Sequence, residues 1–490
     1  MNTFSSAVME QSTLTDNGMP ARVTTANYCV DFFFKAGSSR GQDIRPTFVK
    51  AFAENPDIAT RIMAWMRDPR GGAGEREQFR DLLVYLEHTD PKTALKIIPH
   101  VPELGRWDDL LVFGNGSECQ LAAFDLIDNA LRNEDGLCAK WLPREKSAKS
   151  DVAKQLREYL KIDPKTYRKM LSSLTKVVEN HMCEKDWSSI NYSHVPSVAH
   201  TRYRAAFNRN DSERFGDYVK KLRSGDASVK INAGVVYPHD VIKKLLDNPY
   251  SGLCSDMTAV EVDAIRAQWD ALPNYMGDAQ VLPMVDVSGS MFCPVGRSMS
   301  LMCIQVAVAL GLYCSDKNTG PFKDLVLTFS EQPEMLPLKG DVVAKTQQLA
   351  GADWGFNTNL HRAMKKILEV AVSGEVSQSE MPSVLLILSD MNFDRCVDNA
   401  DESAIEMIRA EYMDAGYTPP VVAFWNLNAQ SHVPVRFDDT GTALISGFSP
   451  SILEAVIGGD VSSITPETVM LDTVMKPKYN VLNLEEIDNV

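Results

Sequence analysis

Apolar residues recur at intervals of three and four positions through roughly residues 27–270. The stretches Ile62–Met66, Phe79–Leu86 and Leu121–Leu131 show the pattern most clearly. This spacing predicts helices that bury one stripe against a neighbour. Breakers such as Asp68-Pro69 and Asp90-Pro91 separate the helices, and almost no alternating strand pattern occurs. The pattern predicts an all-helical domain of stacked helix pairs, a HEAT-like α-helical repeat, although no sequence period marks the repeat.

Past residue 275 the pattern changes to short apolar runs that alternate with helical stretches. Such an alternation is typical of an α/β domain of the doubly wound, Rossmann-like type, whose mostly parallel sheet carries helices on both faces. The predicted strands are Val281–Val285, Leu325–Phe329, Val384–Leu388, Val421–Phe424 and Thr442–Ile445. The predicted helices lie near Ser300–Cys314, Leu360–Val370, Ser403–Met413 and Pro450–Val456.

These patterns divide the chain into four segments. We expect an N-terminal extension over residues 1–25, the helical domain over 26–272, the α/β domain over 277–460 and a C-terminal extension over 461–490. The first twenty residues are polar and show no secretory signal. The longest apolar run, Leu301–Tyr313, is too short to cross a bilayer. We therefore expect a protein without a membrane partner.

The cysteines indicate the compartment. Nine are scattered singly, without a CxxC pair or a histidine at metal-ligand spacing, so neither a zinc ribbon nor a disulfide framework is predicted. A reducing compartment fits best. We expect the cytoplasm, or the host cytoplasm if the protein is viral.

Charge is distributed unevenly along the chain. The 490 residues carry a formal net charge of −15, which argues against a generally basic nucleic-acid binder. Residues 1–275 hold 37 Lys+Arg against 37 Asp+Glu, whereas residues 276–490 hold 13 against 28. Within the neutral half, residues 139–244 hold 22 against 12. That segment is the one candidate for an anion-binding surface.

Hard oxygen ligands gather where predicted strands end. Asp286, Ser288 and Ser290 follow the first strand, Thr358 precedes a helix, and Asp390 closes the strongest apolar strand. Ligand sites of open α/β sheets lie at this edge. Three hydroxyls and two carboxylates, without His or Cys, suit Mg²⁺ or another hard divalent cation, with waters or a partner's carboxylate completing the shell.

These five residues resemble the metal-ion-dependent adhesion site (MIDAS) of von Willebrand factor A domains. Asp286, Ser288 and Ser290 match its D-x-S-x-S motif, Thr358 its threonine loop and Asp390 its distal aspartate. The resemblance implies that the aspartate and serine residues hold the ion directly or through water. It also implies that a partner's acidic side chain takes the open position.

Other interpretations of the same residues stay open. A lone D-x-S-x-S is commonly a turn in which Asp and Ser cap the next helix. A serine nucleophile would need a base, yet His361 begins a helix and His432 lies in a polar loop. If Asp286 were a phosphorylated aspartate, a second Asp would be expected two residues later, but Ser288 occupies that position. We therefore expect no enzymatic activity.

A glycine-rich turn, Arg67–Arg76, joins two predicted helices. Its backbone amides and arginines could hold a phosphate. The turn lacks the preceding strand and the Lys-Ser/Thr of a nucleotide-binding P-loop. A helix corner with structural Arg–Asp pairs is the alternative.

In residues 139–244, here called the basic segment, lysine and arginine residues are interspersed with tyrosine and histidine residues. Phosphates attract cations, and rings and guanidinium planes stack on unpaired bases, which is how single-stranded RNA is usually held. A solvated helix face is the alternative. The candidate RNA-binding residues are His200, Arg202, Tyr203, Arg204, Lys220, Lys221 and Arg223.

A helical array followed by such an A domain resembles the TROVE architecture of the Ro autoantigen family. That resemblance implies a helical ring that binds small structured RNAs and RNA ends. Short sequence segments are more similar to those of an uncharacterised family of plant, fungal and viral proteins with the same domain layout. The matching segments are Trp65–Gly72, Gly105–Leu111, Lys140–Pro143, Val195–Val198, Lys230–Gly234, Asp353–Asn359, Leu388–Asp394 and Ile445–Pro450.

The sequence therefore predicts a non-enzymatic RNA-binding protein, a ribonucleoprotein component whose metal site recruits a partner. One alternative is a protein–protein scaffold without an RNA ligand, in which the basic segment faces acidic partners. A weaker alternative is a metal-dependent hydrolase.

Overall fold

The structure is a computed structural model. It describes residues 12–15, 17–246, 257–296, 301–329, 332–352, 359–393, 404–430, 432–458 and 463–482.

Among the described residues before 275, the secondary structure is helical apart from a short antiparallel hairpin of β1 (Ser12–Leu14) and β2 (Pro20–Arg22). Its first helices are α1 (Tyr28–Ala36), α2 (Arg45–Glu54), α3 (Pro56–Arg67), α4 (Glu77–Thr89), α5 (Pro91–Ile97), α6 (Val101–Leu104), α7 (Glu118–Arg132) and α8 (Gly136–Trp141). They are followed by α9 (Ser150–Tyr159), α10 (Pro164–Leu174), α11 (Val178–Glu184), α12 (Ser197–Asn210), α13 (Ser212–Arg223), α14 (Pro238–Ile242) and α15 (Ala259–Asp270).

Polar–proline pairs start several of these helices. Asn55 accepts a hydrogen bond from the Ile58 amide, and Pro56 occupies the first turn of α3. Asp90 with Pro91 and Asp163 with Pro164 do the same for α5 and α10. The side chain satisfies an orphan amide, while proline has no amide to leave unpaired. The breakers in the sequence thus mark helix boundaries.

The C-terminal region contains a mixed sheet of six described strands with helices between them. The strands are β3 (Val281–Asp286), β4 (Leu325–Phe329), β5 (Met335–Pro337), β6 (Val384–Ser389), β7 (Val421–Asn426) and β8 (Thr442–Ser446). The helices are α16 (Cys303–Lys317), α17 (Val342–Ala350), α18 (Leu360–Ser373), α19 (Ala404–Asp414), α20 (Leu453–Ile457) and α21 (Pro466–Val474).

The strand order is β5-β4-β3-β6-β7-β8. All neighbouring pairs are parallel except β4 with β5. The chain moves from β3 to one side and later returns to place β6 on the other side, so the order reverses between these two strands. Ligands of open α/β sheets bind at such a switch point, beyond the carboxyl ends of the strands.

Helix α16 lies close against β3. A Cβ atom on Gly311 would stand 2.3 Å from Cγ2 of Val285, so no larger residue fits without a shift. This close contact fixes the strand that ends at Asp286.

The helical region and the sheet share one hydrophobic core. At their junction the end of α1 meets the end of β8. The Gly37 amide donates to Oγ of Ser446 at 3.0 Å, and that hydroxyl donates to the Phe33 carbonyl at 2.8 Å. A Cβ on Gly37 would lie 2.6 Å from the Ser446 carbonyl oxygen. A second, smaller core includes Phe207, Phe215 and Tyr218.

The prediction of a helical region followed by an α/β region with a mostly parallel sheet is confirmed in this coarse form. Strand β5 was not predicted, because it has only three residues, of which two are partly buried and one is exposed. In the described ranges, no helix has the length and apolarity needed to cross a membrane.

Candidate functional site

Asp286 is the last residue of β3, and its side chain is fully buried at the switch point. The Ser288 amide donates to Oδ1 at 2.9 Å, and the Ser389 hydroxyl donates to Oδ2 at 2.5 Å. Each carboxylate oxygen is thus held by one of the two central strand ends. The sequence prediction did not include Ser389, although it directly precedes Asp390.

Asp390 follows β6 and is 1% exposed. It accepts hydrogen bonds from the backbone and side-chain nitrogens of Asn392, both at 3.2 Å. The next residue, Met391, has φ +67°, a conformation that costs a non-glycine residue energy. The Ser389 hydroxyl accepts from the Met391 amide at 3.1 Å and so stabilises this turn.

The two serines of the D-x-S-x-S motif connect the carboxylates. Oγ of Ser288 and Oγ of Ser290 lie 3.0 Å apart, and Ser290 also forms a side-chain hydrogen bond with Asp390. Four of the five predicted metal ligands, Asp286, Ser288, Ser290 and Asp390, therefore converge. The fifth, Thr358, lies outside the described residues.

Electrostatics at this point disfavour two negative charges. Burial and, second, the charge of Asp390 raise the pKa of Asp286 to about 7. Burial also raises the pKa of Asp390. In the described part of the chain, no Lys or Arg forms an ion pair with either carboxylate. Two buried acids without a paired cation must share a proton or bind a positive ion.

The donor set fits a hard divalent cation in its chemistry, since it offers carboxylate and hydroxyl oxygens only. Among the described residues no group of three or more His, Cys, Asp or Glu side chains is placed to hold a metal ion. The predicted set does not require one, because it combines two carboxylates with serine hydroxyls.

The N-terminal hairpin covers the loop that follows Asp390. Oγ1 of Thr15 donates to the Phe393 carbonyl at 2.6 Å, and Nδ2 of Asn17 donates to the Asn392 carbonyl at 2.9 Å. On the other side, Nε2 of His432 lies 3.1 Å from the Met391 carbonyl oxygen. Sequence reasoning missed these contacts, which join positions far apart in the chain.

A separate groove of about 680 Å³ lies over the smaller core of the helical region. Its wall carries Arg214, Lys221, Lys230 and His194 against one acid, Asp217. Serine and apolar residues form much of the remaining wall. Arg214 is already paired with Asp211 at 2.7 Å, so Lys221 and Lys230 are the cations of the groove that suit an anionic ligand.

One helix supplies much of this wall. Arg214, Asp217, Tyr218 and Lys221 lie on α13 at spacings of three and four, so they share a face. Arg214 is fixed by hydrogen bonds to the Trp187 and Ile190 carbonyls at 2.8 and 2.9 Å. This spacing was a readable signal, but the sequence prediction took only Lys221 from the face.

Two predicted RNA-binding residues require correction. His200 is fully buried and Arg204 is 2% exposed, so neither side chain is available to an RNA. The ring of His200 packs among Phe207, Phe215 and Tyr218. Burial lowers the pKa of His200 to about 3 and that of Arg204 to about 10.

The other candidates reach the surface but do not form one cluster. Arg202, Lys220, Lys221 and Arg223 are exposed, and only Lys221 lines the groove. Arg223 pairs with Asp270 at 2.9 Å, and Lys220 lies 3.5 Å from Asp217. Tyr203 is half-buried and donates from its hydroxyl to Glu179 at 3.3 Å.

The glycine-rich turn after α3 uses its charges structurally. Arg67 pairs with the buried Asp109 at 2.7 Å, and Asp109 also pairs with Arg80 at 2.7 Å. Asp68 accepts from Nζ of Lys478 and from the Tyr479 hydroxyl, at 2.5 and 3.0 Å. These pairs favour the helix-corner interpretation over a phosphate site.

Comparison with known proteins gives two family matches. The model described as "Domain of unknown function (DUF2828)" matches residues 15–109 and 126–281, and the model described as "Domain of unknown function (DUF7788)" matches residues 280–481. An uncharacterized protein, L728, of Acanthamoeba polyphaga mimivirus is 29% identical over 541 residues. The alignment covers 98% of this chain and 90% of the viral protein.

One solved structure with a similar fold is that of the Ro (RSR) protein of Deinococcus radiodurans. The match has a TM-score of 0.50 and 15% sequence identity. It covers 92% of this chain and 100% of the Ro chain. At this identity the likeness concerns the fold alone.

Proposed function

This chain belongs to the family described as a domain of unknown function, DUF2828, and from that premise we propose that it is a non-enzymatic RNA-binding protein with a metal-dependent site for a protein partner. The helical region holds a small structured RNA. The C-terminal region is a von Willebrand factor A-like domain whose Mg²⁺ site captures the partner.

The observation that carries the RNA proposal is the cationic groove. Lys221 and Lys230 are exposed on its wall, and Arg214 is held in place beside them. Phosphates of a nucleic acid are bound chiefly by such cations, while hydroxyl and amide groups add hydrogen bonds. The RNA ligand is what the resemblance to the TROVE architecture implies. The fold similarity to the Ro protein agrees with that architecture.

The buried acids support the metal site. Asp286 and Asp390, with Ser288 and Ser290, offer oxygens of the kind that Mg²⁺ prefers. A bound Mg²⁺ would supply the missing positive charge and an open position for an acidic side chain of the partner. The chain's own residues hold the two carboxylates in place through Ser389 and Asn392.

The absence of catalysis is part of the same proposal. Ser288 and Ser290 form hydrogen bonds with each other and with the two aspartates rather than with a histidine. His361 pairs with Glu411 at 2.8 Å, and His432 contacts a backbone carbonyl. Neither arrangement provides a general base for a serine nucleophile.

Filter binding with a panel of structured RNA transcripts tests the RNA proposal. The full chain should bind at about 50 mM salt and lose most of its affinity by about 200 mM, because phosphate contacts release counterions. The double variant Lys221→Glu, Lys230→Glu should bind weakly and show a salt slope reduced by about 0.9 for each lost contact. The double variant Lys92→Glu, Lys96→Glu, at exposed positions on α5, is the matched control and should behave like the wild type.

Two outcomes would contradict the proposal. Binding that is independent of salt would exclude phosphate recognition. Absence of binding to every transcript, together with Mg²⁺-dependent capture of a protein partner, would favour the scaffold function instead.

A further inference from the structure

Two thiols come together directly after the Ser288–Ser290 loop. Sγ of Cys293 and Sγ of Cys303 are 3.2 Å apart, and both cysteines are free. A disulfide bond is about 2.05 Å long, so the sulfurs need to approach by only about 1 Å. This pair could not be predicted from the sequence, because ten positions separate the two residues and no motif marks them.

The backbone already has the geometry of a cross-strand pair. Pro294 and Met302 form an antiparallel bridge. The Cys303 amide donates to the Cys293 carbonyl at 3.0 Å, and the Val295 amide donates to the Leu301 carbonyl at 2.8 Å. Cys293 and Cys303 therefore stand opposite each other. Opposed residues of antiparallel strands have Cα atoms about 4.5–5.5 Å apart, within the range that disulfides bridge.

The two thiols differ in their surroundings. Cys293 is partly exposed, whereas Cys303 is buried. The hydrogen bond with Cys293 and, second, burial raise the pKa of the Cys303 thiol. Cys293 is thus the thiol that a soluble oxidant reaches first, and Cys303 is the partner beneath it. In the described part of the chain, no other two cysteine sulfurs are in contact.

We propose that Cys293 and Cys303 form an oxidation site that hydrogen peroxide converts into a disulfide and that a thiol reductant restores. The Cys293 thiolate attacks a peroxide oxygen, the O–O bond breaks, and water leaves after protonation of the hydroxide. Cys293 is then a sulfenic acid. The Cys303 sulfur attacks the Cys293 sulfur, the S–S bond forms, the S–O bond breaks, and a second water leaves with the Cys303 proton. Two thiols lose two electrons, and the peroxide accepts them.

The disulfide would constrain the loop that carries Ser288 and Ser290 of the proposed metal site. The Cys293 amide donates to the Ser290 carbonyl at 3.1 Å, and Cys303 is the first residue of α16. A covalent bond between them ties the Ser290 loop to the helix that packs on β3. A changed Mg²⁺ affinity after oxidation is a consequence that rests on the proposed function, whereas the disulfide itself does not.

Peptide mapping of the full chain tests the site. The protein is treated with hydrogen peroxide, free thiols are blocked with N-ethylmaleimide, and trypsin fragments are analysed by mass spectrometry. Because Arg297 lies between the cysteines, the oxidised form yields two peptides joined by the bond. Cys314 shares a tryptic peptide with Cys303, so Cys314→Ala is included to locate the bond.

We expect the Cys293–Cys303 link as the main product, and dithiothreitol should remove it. Cys293→Ser should abolish the link, while Cys183→Ser, at an exposed and distant cysteine, should leave it unchanged. Recovery of Cys303 as the blocked thiol after peroxide treatment would overturn the proposal. Recovery of Cys293 as a sulfinic acid, or in a disulfide with a different cysteine, would also overturn the proposal. If the link forms and Mg²⁺ affinity stays the same, the site stands and its coupling to the metal loop is contradicted.

Discussion

The Ser389 hydroxyl donates a 2.5 Å hydrogen bond to Oδ2 of Asp286 across the two central strands of the sheet. Both residues are fully buried, and the Ser288 amide holds the other carboxylate oxygen. The strand order reverses at this place. The candidate metal ligand is thus oriented before any ion arrives, which reduces the ordering cost of binding.

Replacing Ser389 with alanine should weaken Mg²⁺ binding. The hydrogen bond from Ser389 lowers the pKa of Asp286, so its loss favours the proton that competes with the ion. We expect a loss of about tenfold, which corresponds to about 1.4 kcal/mol and is typical of one hydrogen bond to a charged group. Isothermal titration calorimetry near pH 7.5 measures it. Ser373→Ala, at an exposed helix end, is the control, and equal affinities of the two variants would contradict the role of Ser389.

Mg²⁺ should stabilise the protein more at high pH than at low pH. The folded-state pKa of Asp286 is raised from 3.8 to about 7. Between these values the folded protein holds a proton that the unfolded chain releases, so this contribution to stability is present at low pH and is lost as pH rises through about 7. At about pH 8 Asp286 has already lost its proton and the ion binds the carboxylate directly, whereas at about pH 5.5 the ion must first displace the proton. Thermal melts with and without Mg²⁺ at both pH values check this.

The matched variant for that experiment is Asp286→Asn, which removes the titrating group. Its melting temperature should respond little to Mg²⁺ at either pH. An increase in melting temperature that is the same at both pH values in the wild type would show that Asp286 does not govern the binding.

The N-terminal hairpin should stabilise the Asp390 loop. In Thr15→Val the buried Phe393 carbonyl loses its donor and the Met19 amide its acceptor. An unsatisfied buried group costs about 1–3 kcal/mol, so the melting temperature should fall. Thr13→Val, two residues earlier on β1, is the control, because the Thr13 side chain is only partly buried. A melting temperature as high as that of the control would contradict the contact.

Asp109→Asn should destabilise the helical region strongly. Asp109 is fully buried between Arg67 and Arg80, and removal of one partner from a buried ion pair typically costs about 3–5 kcal/mol. Asp128→Asn, in an exposed pair with Arg132, should cost at most about 1 kcal/mol. Urea unfolding followed by circular dichroism distinguishes them. Similar midpoints for both variants would exclude a structural role for the glycine-rich turn.

Local patterns made part of this architecture predictable. The apolar runs Val281–Val285 and Val384–Leu388 identified the two central strands, each of which extends one residue further in the structure. Because parallel strands bring their carboxyl ends to one edge, the convergence of Asp286, Ser288, Ser290 and Asp390 followed from the sequence. Contacts such as that of Thr15 with Phe393 could not be predicted, since 378 positions separate them and no local signal marks them.

The basic segment shows where counting charges fails. Ser197, His200, Arg204 and Phe207 are buried at spacings of three, four and three along α12, which is a helical stripe. Polar side chains occupied three of its positions, so the sequence suggested a surface rather than a core. The segment with the charge excess contains the cationic groove, but the groove itself depends on the face of α13 that carries Arg214 and Lys221.

The proposed function requires that the protein carries RNA on the groove of its helical region. The most direct measurement is the nucleic-acid content of the full chain purified from its native cells at low salt, by absorbance ratio and by sequencing the released strands. We expect RNA that co-purifies with the wild type and that ribonuclease removes. The Lys221→Glu, Lys230→Glu variant should retain far less RNA than the Lys92→Glu, Lys96→Glu variant. Wild-type protein free of nucleic acid, or equal RNA content in the two variants, would contradict it.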